Sequence, residues 1–179
     1  IWSTESSGGS STAPVAVPGL DRARADTVGA RALERMLAAK EATVVDLATS
    51  LVHRNGHVPG AWFVVRARFA ADLPKVPRAG ALVLTSPDGV LARLAAPEAA
   101  AVWGGRVLVL DGGTEAWRQA GLPLASGHQN MASAADDVWY RPYDRTSGVE
   151  GAMNDYLKWE VALVEQIARD GDCRFRRYP

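Results

Sequence analysis

Apolar residues follow two rhythms along this chain. Four short runs are apolar at consecutive positions: 43–47 (TVVDL, broken only by Asp46), 61–65 (AWFVV), 81–84 (ALVL) and 107–110 (VLVL). Runs this short, with little alternation, predict strands covered on both faces, as in a parallel sheet. Between them the spacing becomes helical. Residues 28–39 place Val28, Leu33, Met36 and Leu37 on one side, and residues 89–96 do the same with Val90, Leu91, Leu94 and Ala95. Pro97 is expected to end that second helix and to start another short one reaching Val102 and Trp103. Residues 114–120 predict a short helix with Thr114 as its N-cap. Strands alternating with helices predict an α/β fold, a mostly parallel sheet with helices on both faces. Ligands of such sheets sit off the carboxyl ends of the strands, so the loop beginning at Thr85 and Ser86 is the place to look for chemistry.

Before and after this region the pattern changes. Residues 3–19 are dominated by Ser, Thr, Gly and Pro, which bury too little surface to offset the entropy of ordering. Residues 1–20 are therefore expected to be an interdomain linker, with Ile1 and Trp2 as the end of a preceding domain. Residues 21–127 form the expected domain and 128–179 an extension. In the extension, residues 137–143 (DVWYRPY) predict an extended arm lying on a surface, and 150–169 a helix. Asp155, Lys158, Glu165, Gln166 and Arg169 share a narrow polar face of that helix. Its apolar arc is roughly 200° wide, more than one packing stripe needs. The helix is therefore expected to touch two bodies, its own domain and a neighbour. Glu160 falls within the apolar arc, and a carboxylate there requires an arginine or a tyrosine hydroxyl as partner.

Composition narrows the function. Lys plus Arg and Asp plus Glu number 20 each, so the net charge is zero. Such a chain offers no electrostatic footprint for nucleic acid or an anionic membrane. No apolar stretch approaches the roughly 20 residues that cross a bilayer. The single cysteine, Cys173, excludes an internal disulfide and an all-cysteine metal site. It suits a reducing compartment, so a cytoplasmic location is expected. Cys173 reads as a free terminal thiol, and Arg174, Arg176 and Arg177 as a solvated tail. No cofactor or metal is implied.

Three segments in order carry a family resemblance. Val44-Val45-Asp46 is followed by Gly56-His57-Val58-Pro59-Gly60-Ala61. Leu82-Val83-Leu84 runs into Thr85-Ser86-Pro87-Asp88-Gly89. Val107 to Leu110 leads into Asp111-Gly112-Gly113, with Trp117 and then Gly121-Leu122-Pro123. Over roughly residues 21–127 this resembles the rhodanese homology family of sulfurtransferases. Each segment also has a purely structural reading, in which His57, Asp111 and Trp117 are fold punctuation and His57 makes a satisfied hydrogen bond in its turn.

The resemblance implies a persulfide carrier: a cysteine at the start of the loop after the third run, cradled by backbone N–H groups at a helix N-terminus. That position matches Ser86, anchored by Gly89 three residues on. A serine oxygen cannot carry a transferable sulfur, and an alcohol needs a dedicated base to ionise. Pro87 removes an N–H from the ring of donors. Asp88 sets a carboxylate where an anion would sit. Leu91 and Ala48 stand where the family commonly has arginine. The remnant of the anion loop is thus Ser86, Pro87, Asp88, Gly89, Val90 and Leu91, with no catalytic residue. Ser86 is not a hydrolytic nucleophile either, because Leu84 and Asp88 flank it where a nucleophile elbow has glycines.

The expectation is a catalytically silent rhodanese module of a multi-unit bacterial sulfurtransferase, used for scaffolding, docking or dimerisation. Its partners would be other rhodanese domains of the parent chain or a second subunit. The alternatives are an active thiosulfate-type sulfurtransferase and a small-anion sensor built on the amides of residues 88–91.

Overall fold

The structure, a computed structural model, describes residues 16–172. Five parallel strands form its centre: β1 (Asp26–Val28), β2 (Ala42–Asp46), β3 (Trp62–Phe63), β4 (Ala81–Thr85) and β5 (Arg106–Leu110). Their order across the sheet is β1-β5-β4-β2-β3. The helices are α1 (Ala30–Ala38), α2 (Ser50–Asn55), α3 (Phe69–Asp72), α4 (Val90–Trp103), α5 (Gly113–Gln119) and α6 (Val149–Arg169).

The consecutive apolar runs have the predicted cause, because successive side chains enter two different cores. Val44, Val83, Leu108 and Leu110 pack with Leu33 of α1 and Trp117 of α5. Val45, Leu82, Leu84 and Val109 pack with Phe69, Leu73 and the small residues Ala92, Ala95, Ala96 and Ala99 of α4. Those alanines let α4 lie close to the sheet, which holds the start of α4 beside the end of β4.

Local expectations differ from the structure at four places. Val28 ends β1, and α1 starts at Ala30; three residues paired along β5 were too short to read as a strand. The run 61–65 keeps only two strand residues, because the chain turns at Val65 into a 3-10 turn over Arg66–Arg68. Pro97 does not end a helix: α4 runs unbroken to Trp103. Pro97 is exposed, so water can satisfy the carbonyl it strands, while buried alanines on either side hold the helix down. Thr114 is not the cap of α5, since Gly112 in the left-handed conformation takes that place.

The segment after residue 127 adheres to the domain, but the expected arm 137–143 is not extended throughout, since Pro142–Asp144 forms a 3-10 turn. Phe63 N–H donates to the Asn130 carbonyl (2.9 Å), and Ala132 N–H donates back to Phe63 (3.1 Å). Ser133 Oγ donates to buried Asp72 (2.5 Å), and Tyr140 Oη donates to Ser50 Oγ (2.8 Å). Helix α6 behaves otherwise. It covers 149–169, almost as predicted, but has no buried residue, and its principal contact is the 3-10 turn Pro142–Asp144 of the arm. The expected packing of α6 against its own domain is thus confined to that arm. Glu160 does have a tyrosine partner, Tyr156 Oη at 3.1 Å, yet it is exposed. Its position therefore requires no second body to relieve a buried charge. Residues 1–15, with Ile1 and Trp2, and residues 173–179, with Cys173 and the arginine-rich tail, lie outside the described residues. No helix among the described residues is long and apolar enough to cross a membrane.

Candidate functional site: the loop between β4 and α4

Residues 86–89 connect β4 to α4 at the carboxyl edge of the sheet, where the strand pattern placed the site. Ser86 is fully buried. Its Oγ accepts from the Ala92 N–H (3.3 Å) in the first turn of α4. Asp88 Oδ1 accepts from the Val90 N–H (3.0 Å). Two of the amides that a helix N-terminus would offer to a bound anion are therefore taken by side chains of the loop itself. Pro87 has no N–H to add. Leu91, in the same turn, is half-buried and uncharged.

The back of the loop is clamped by the turn from β5 into α5. Ser86 carbonyl accepts from Gly89 N–H (3.3 Å) and Thr114 N–H (3.0 Å), and Pro87 carbonyl accepts from Glu115 N–H (3.0 Å). The bonds from Thr114 and Glu115 use free amides at the start of α5. Gly89 and Gly113 make the clamp possible, with φ of +80° and +64°. A Cβ on Gly113 would lie 2.2 Å from the Ser86 carbonyl oxygen and 2.4 Å from the Gly89 nitrogen. The Asp111-Gly112-Gly113 signature therefore serves to seat the 86–89 loop. Asp111 itself is exposed, 3.7 Å from Arg93.

Two shallow grooves flank the loop. One, about 200 Å³, is lined by Leu20, Asp88, Val90, Arg93 and Asp111. The other, about 220 Å³, is lined by Asp46, Ala48, Pro87, Thr114, Glu115 and Arg118. Arg118 is the cation of the second groove, but its Nε and Nη2 donate to Glu115 at 2.8 and 2.6 Å. That pairing holds the Glu115 carboxyl down at about 2 and raises the Arg118 guanidinium further. Each groove thus carries one arginine beside at least one carboxylate, a poor field for an anionic substrate.

Under the second groove lies a buried polar cluster that the sequence reading overlooked. Asp46 Oδ2 accepts from His53 Nδ1 (2.8 Å), and its Oδ1 accepts from Ala48 N–H (2.9 Å). His57 Nδ1 donates to the His53 carbonyl (2.7 Å), as expected of a structural histidine. The His53 and His57 rings stack with centroids 3.9 Å apart. Burial holds the His57 pKa below its ordinary value, outweighing the bond to the His53 carbonyl. His53 Nε2 is buried without a partner. His53 lies in α2 and His57 just beyond its end, so helical spacing does not account for the stack. Nothing in the spacing indicates that Asp46 reaches His53. Among the described residues no group of three or more His, Cys, Asp or Glu is placed to hold a metal ion.

The Rhodanese family, a rhodanese-like domain, matches residues 29–120. The chain belongs to this family. A crystal structure of thiosulfate sulfurtransferase from Pseudomonas aeruginosa is 39% identical, with a TM-score of 0.78. The match covers 87% of this rhodanese-like chain and 30% of the other, so this chain spans less than a third of that relative. Two more distant structures share the fold. One is RPA3614 from Rhodopseudomonas palustris, described as a protein of unknown function and possible tyrosine phosphatase. It is 24% identical with TM-score 0.51 over 63% of this chain and 99% of its own. The other is the rhodanese-like domain of Alr3790 from Anabaena, 18% identical with TM-score 0.51 over 65% of this chain and 91% of its own. No curated protein sequence matches the chain.

Proposed function

We propose that this rhodanese-like domain carries no sulfur on its own loop and acts as a docking or scaffolding unit of a sulfurtransferase. One observation supports this above the rest: the residue at the head of the β4–α4 loop, Ser86, is a buried serine whose oxygen is spent on the Ala92 amide. A rhodanese cysteine must be exposed to donor and acceptor, and must ionise in a field of free amides. Here the candidate nucleophile is an alcohol with no adjacent base. Asp88 fills the Val90 amide with an internal carboxylate, which also disfavours the small-anion sensor.

The test is cyanide-dependent thiocyanate formation from thiosulfate by the purified chain. The expected result is no turnover above the uncatalysed rate. Turnover that disappears in Ser86→Ala would overturn the proposal in favour of an active thiosulfate-type enzyme. Mass spectrometry after thiosulfate treatment provides a second readout, with no sulfur adduct expected on residues 81–93.

A further inference from the structure

Helix α6 has two different long faces. One closes against the arm: Trp139, Tyr140 and Pro142 with Ala152, Tyr156 and Trp159 line a groove of about 590 Å³, and the Tyr156 ring sits 6.1 Å from Trp139 and 5.9 Å from Trp159. The other face is left bare among the described residues. Met153, Leu157, Val164 and Ile167 are exposed along it, Leu157 by 49% and Val164 by 62%. With Glu160 they recur at spacings of four, three, four and three residues. That is the period with which one helix packs along another, knobs into holes. From Met153 to Ile167 the line is about 21 Å long. An apolar strip of this kind on a helix with no buried residue marks an interaction surface.

The charges on this face select the partner. Glu150 and Glu160 lie on it. Lys158 and Arg169 point to the opposite side, 3.7 Å from Asp155 and 3.9 Å from Glu165. A second copy of α6 pairs badly. In parallel it sets Glu160 against Glu160. Antiparallel, the alignment that meets Leu157 with Val164 and Met153 with Ile167 does the same. Like charges face to face in a drying interface oppose association, whereas a cation opposite Glu160 favours it and fixes the register. The match to the P. aeruginosa enzyme covers 87% of this chain, more than the residues before Val149 could supply. Part of α6 is therefore matched in a polypeptide of which this span is only 30%.

We infer that the bare face of α6 is the docking site for an amphipathic helix from another unit of a longer sulfurtransferase polypeptide, with an Arg or Lys opposite Glu160. This rests on the docking role proposed above.

The first probe is a fluorescein-labelled synthetic helix of matching length, with leucine at the same four–three spacing and arginine opposite Glu160. Its control has glutamate in place of that arginine. Fluorescence anisotropy with the full chain should show the arginine peptide binding about ten-fold more tightly. Glu160→Gln should erase that preference, and Leu157→Asp with Val164→Asp should abolish binding of both peptides. These side chains are exposed, so circular dichroism should report an unchanged fold. Equal binding of the two peptides, or binding that survives the double substitution, overturns the inference. So does a wild-type dimer in sedimentation that Leu157→Asp dissociates, because the occupant would then be a second copy. In the full-length P. aeruginosa enzyme, the helix matched to α6 should be protected from hydroxyl-radical footprinting along the same face. A bare helix there overturns the assigned source. A failed docking test leaves the thiocyanate assay untouched, so the two proposals can fall separately.

Discussion

Gly113 stands so close to Ser86 that a single methyl group on it would lie 2.2 Å from the Ser86 carbonyl oxygen. The contact joins two signatures of the family that are 27 positions apart, the β4–α4 loop and the β5–α5 turn. It shows what the double glycine does in this chain: it lets one backbone close against another and donate into it.

Gly113→Ala should therefore destabilise the domain strongly. The substitution combines a backbone φ of +64° with a clash against a fully buried residue. A strained left-handed residue alone costs on the order of 1–3 kcal/mol, and the clash adds to it. Urea denaturation should place the total at about 3 kcal/mol or more. A loss below about 1 kcal/mol would mean that the loop can retreat from the turn.

Ser86→Ala removes only the bond to the Ala92 amide, a neutral hydrogen bond worth about 1 kcal/mol. A stability loss of that size, with no change in sulfur transfer, is expected from denaturation and the thiocyanate assay.

Ser86→Cys supplies a thiol but leaves Pro87 and Asp88 in place. Because position 86 is fully buried, the single variant should gain a sulfur atom from thiosulfate only slowly, with sulfite released, and turn over slowly. Adding Asp88→Asn removes the carboxylate from the donor ring and should raise turnover about ten-fold. Equal rates for the two variants would show that Asp88 does not obstruct the loop.

Buried His57 predicts a pH dependence. His57 is held below the ordinary imidazole value of 6.5 by burial. On acidification the unfolded chain takes up its proton first, so the unfolded state binds more protons and stability falls as pH drops through about 6.5. For one such group the slope cannot exceed about 1.4 kcal/mol per pH unit. Thermal unfolding between pH 7.5 and 5, buffered at constant ionic strength, should show a falling Tm that flattens in His57→Asn. An unchanged slope in that variant would assign the dependence to other groups.

Asp46→Ala would leave the His53 Nδ1–H and the Ala48 N–H in the interior without their acceptor. A loss of about 3 kcal/mol is expected, together with disorder of the histidine stack visible in imidazole NMR resonances. Unperturbed imidazole signals would show that the stack stands without the carboxylate.

Much of this architecture was legible because it depends on local pattern. Consecutive apolar residues favour a strand buried on both faces, and the narrow polar face beside a wide apolar arc over 150–169 favours a helix. The head of the functional loop was legible too, since the identity of Ser86 is a matter of sequence. Other features depended on distant partners. Pro97 reads as a helix end in isolation, but buried alanines on either side of it carry α4 through. Val28 reads as the start of a helix until pairing with Leu110 draws it into β1.

By itself, then, the sequence determined most element types, the family signatures and the presence of a serine at position 86, because each depends on residue identity and short-range spacing. Tertiary structure decided that Asp88 and Ser86 consume the amides of α4, that Asp46 reaches His53, and that one face of α6 is left uncovered. Those outcomes depend on which groups meet across the sheet and which meet nothing among the described residues, and long-range proximity is set only when the whole backbone has closed.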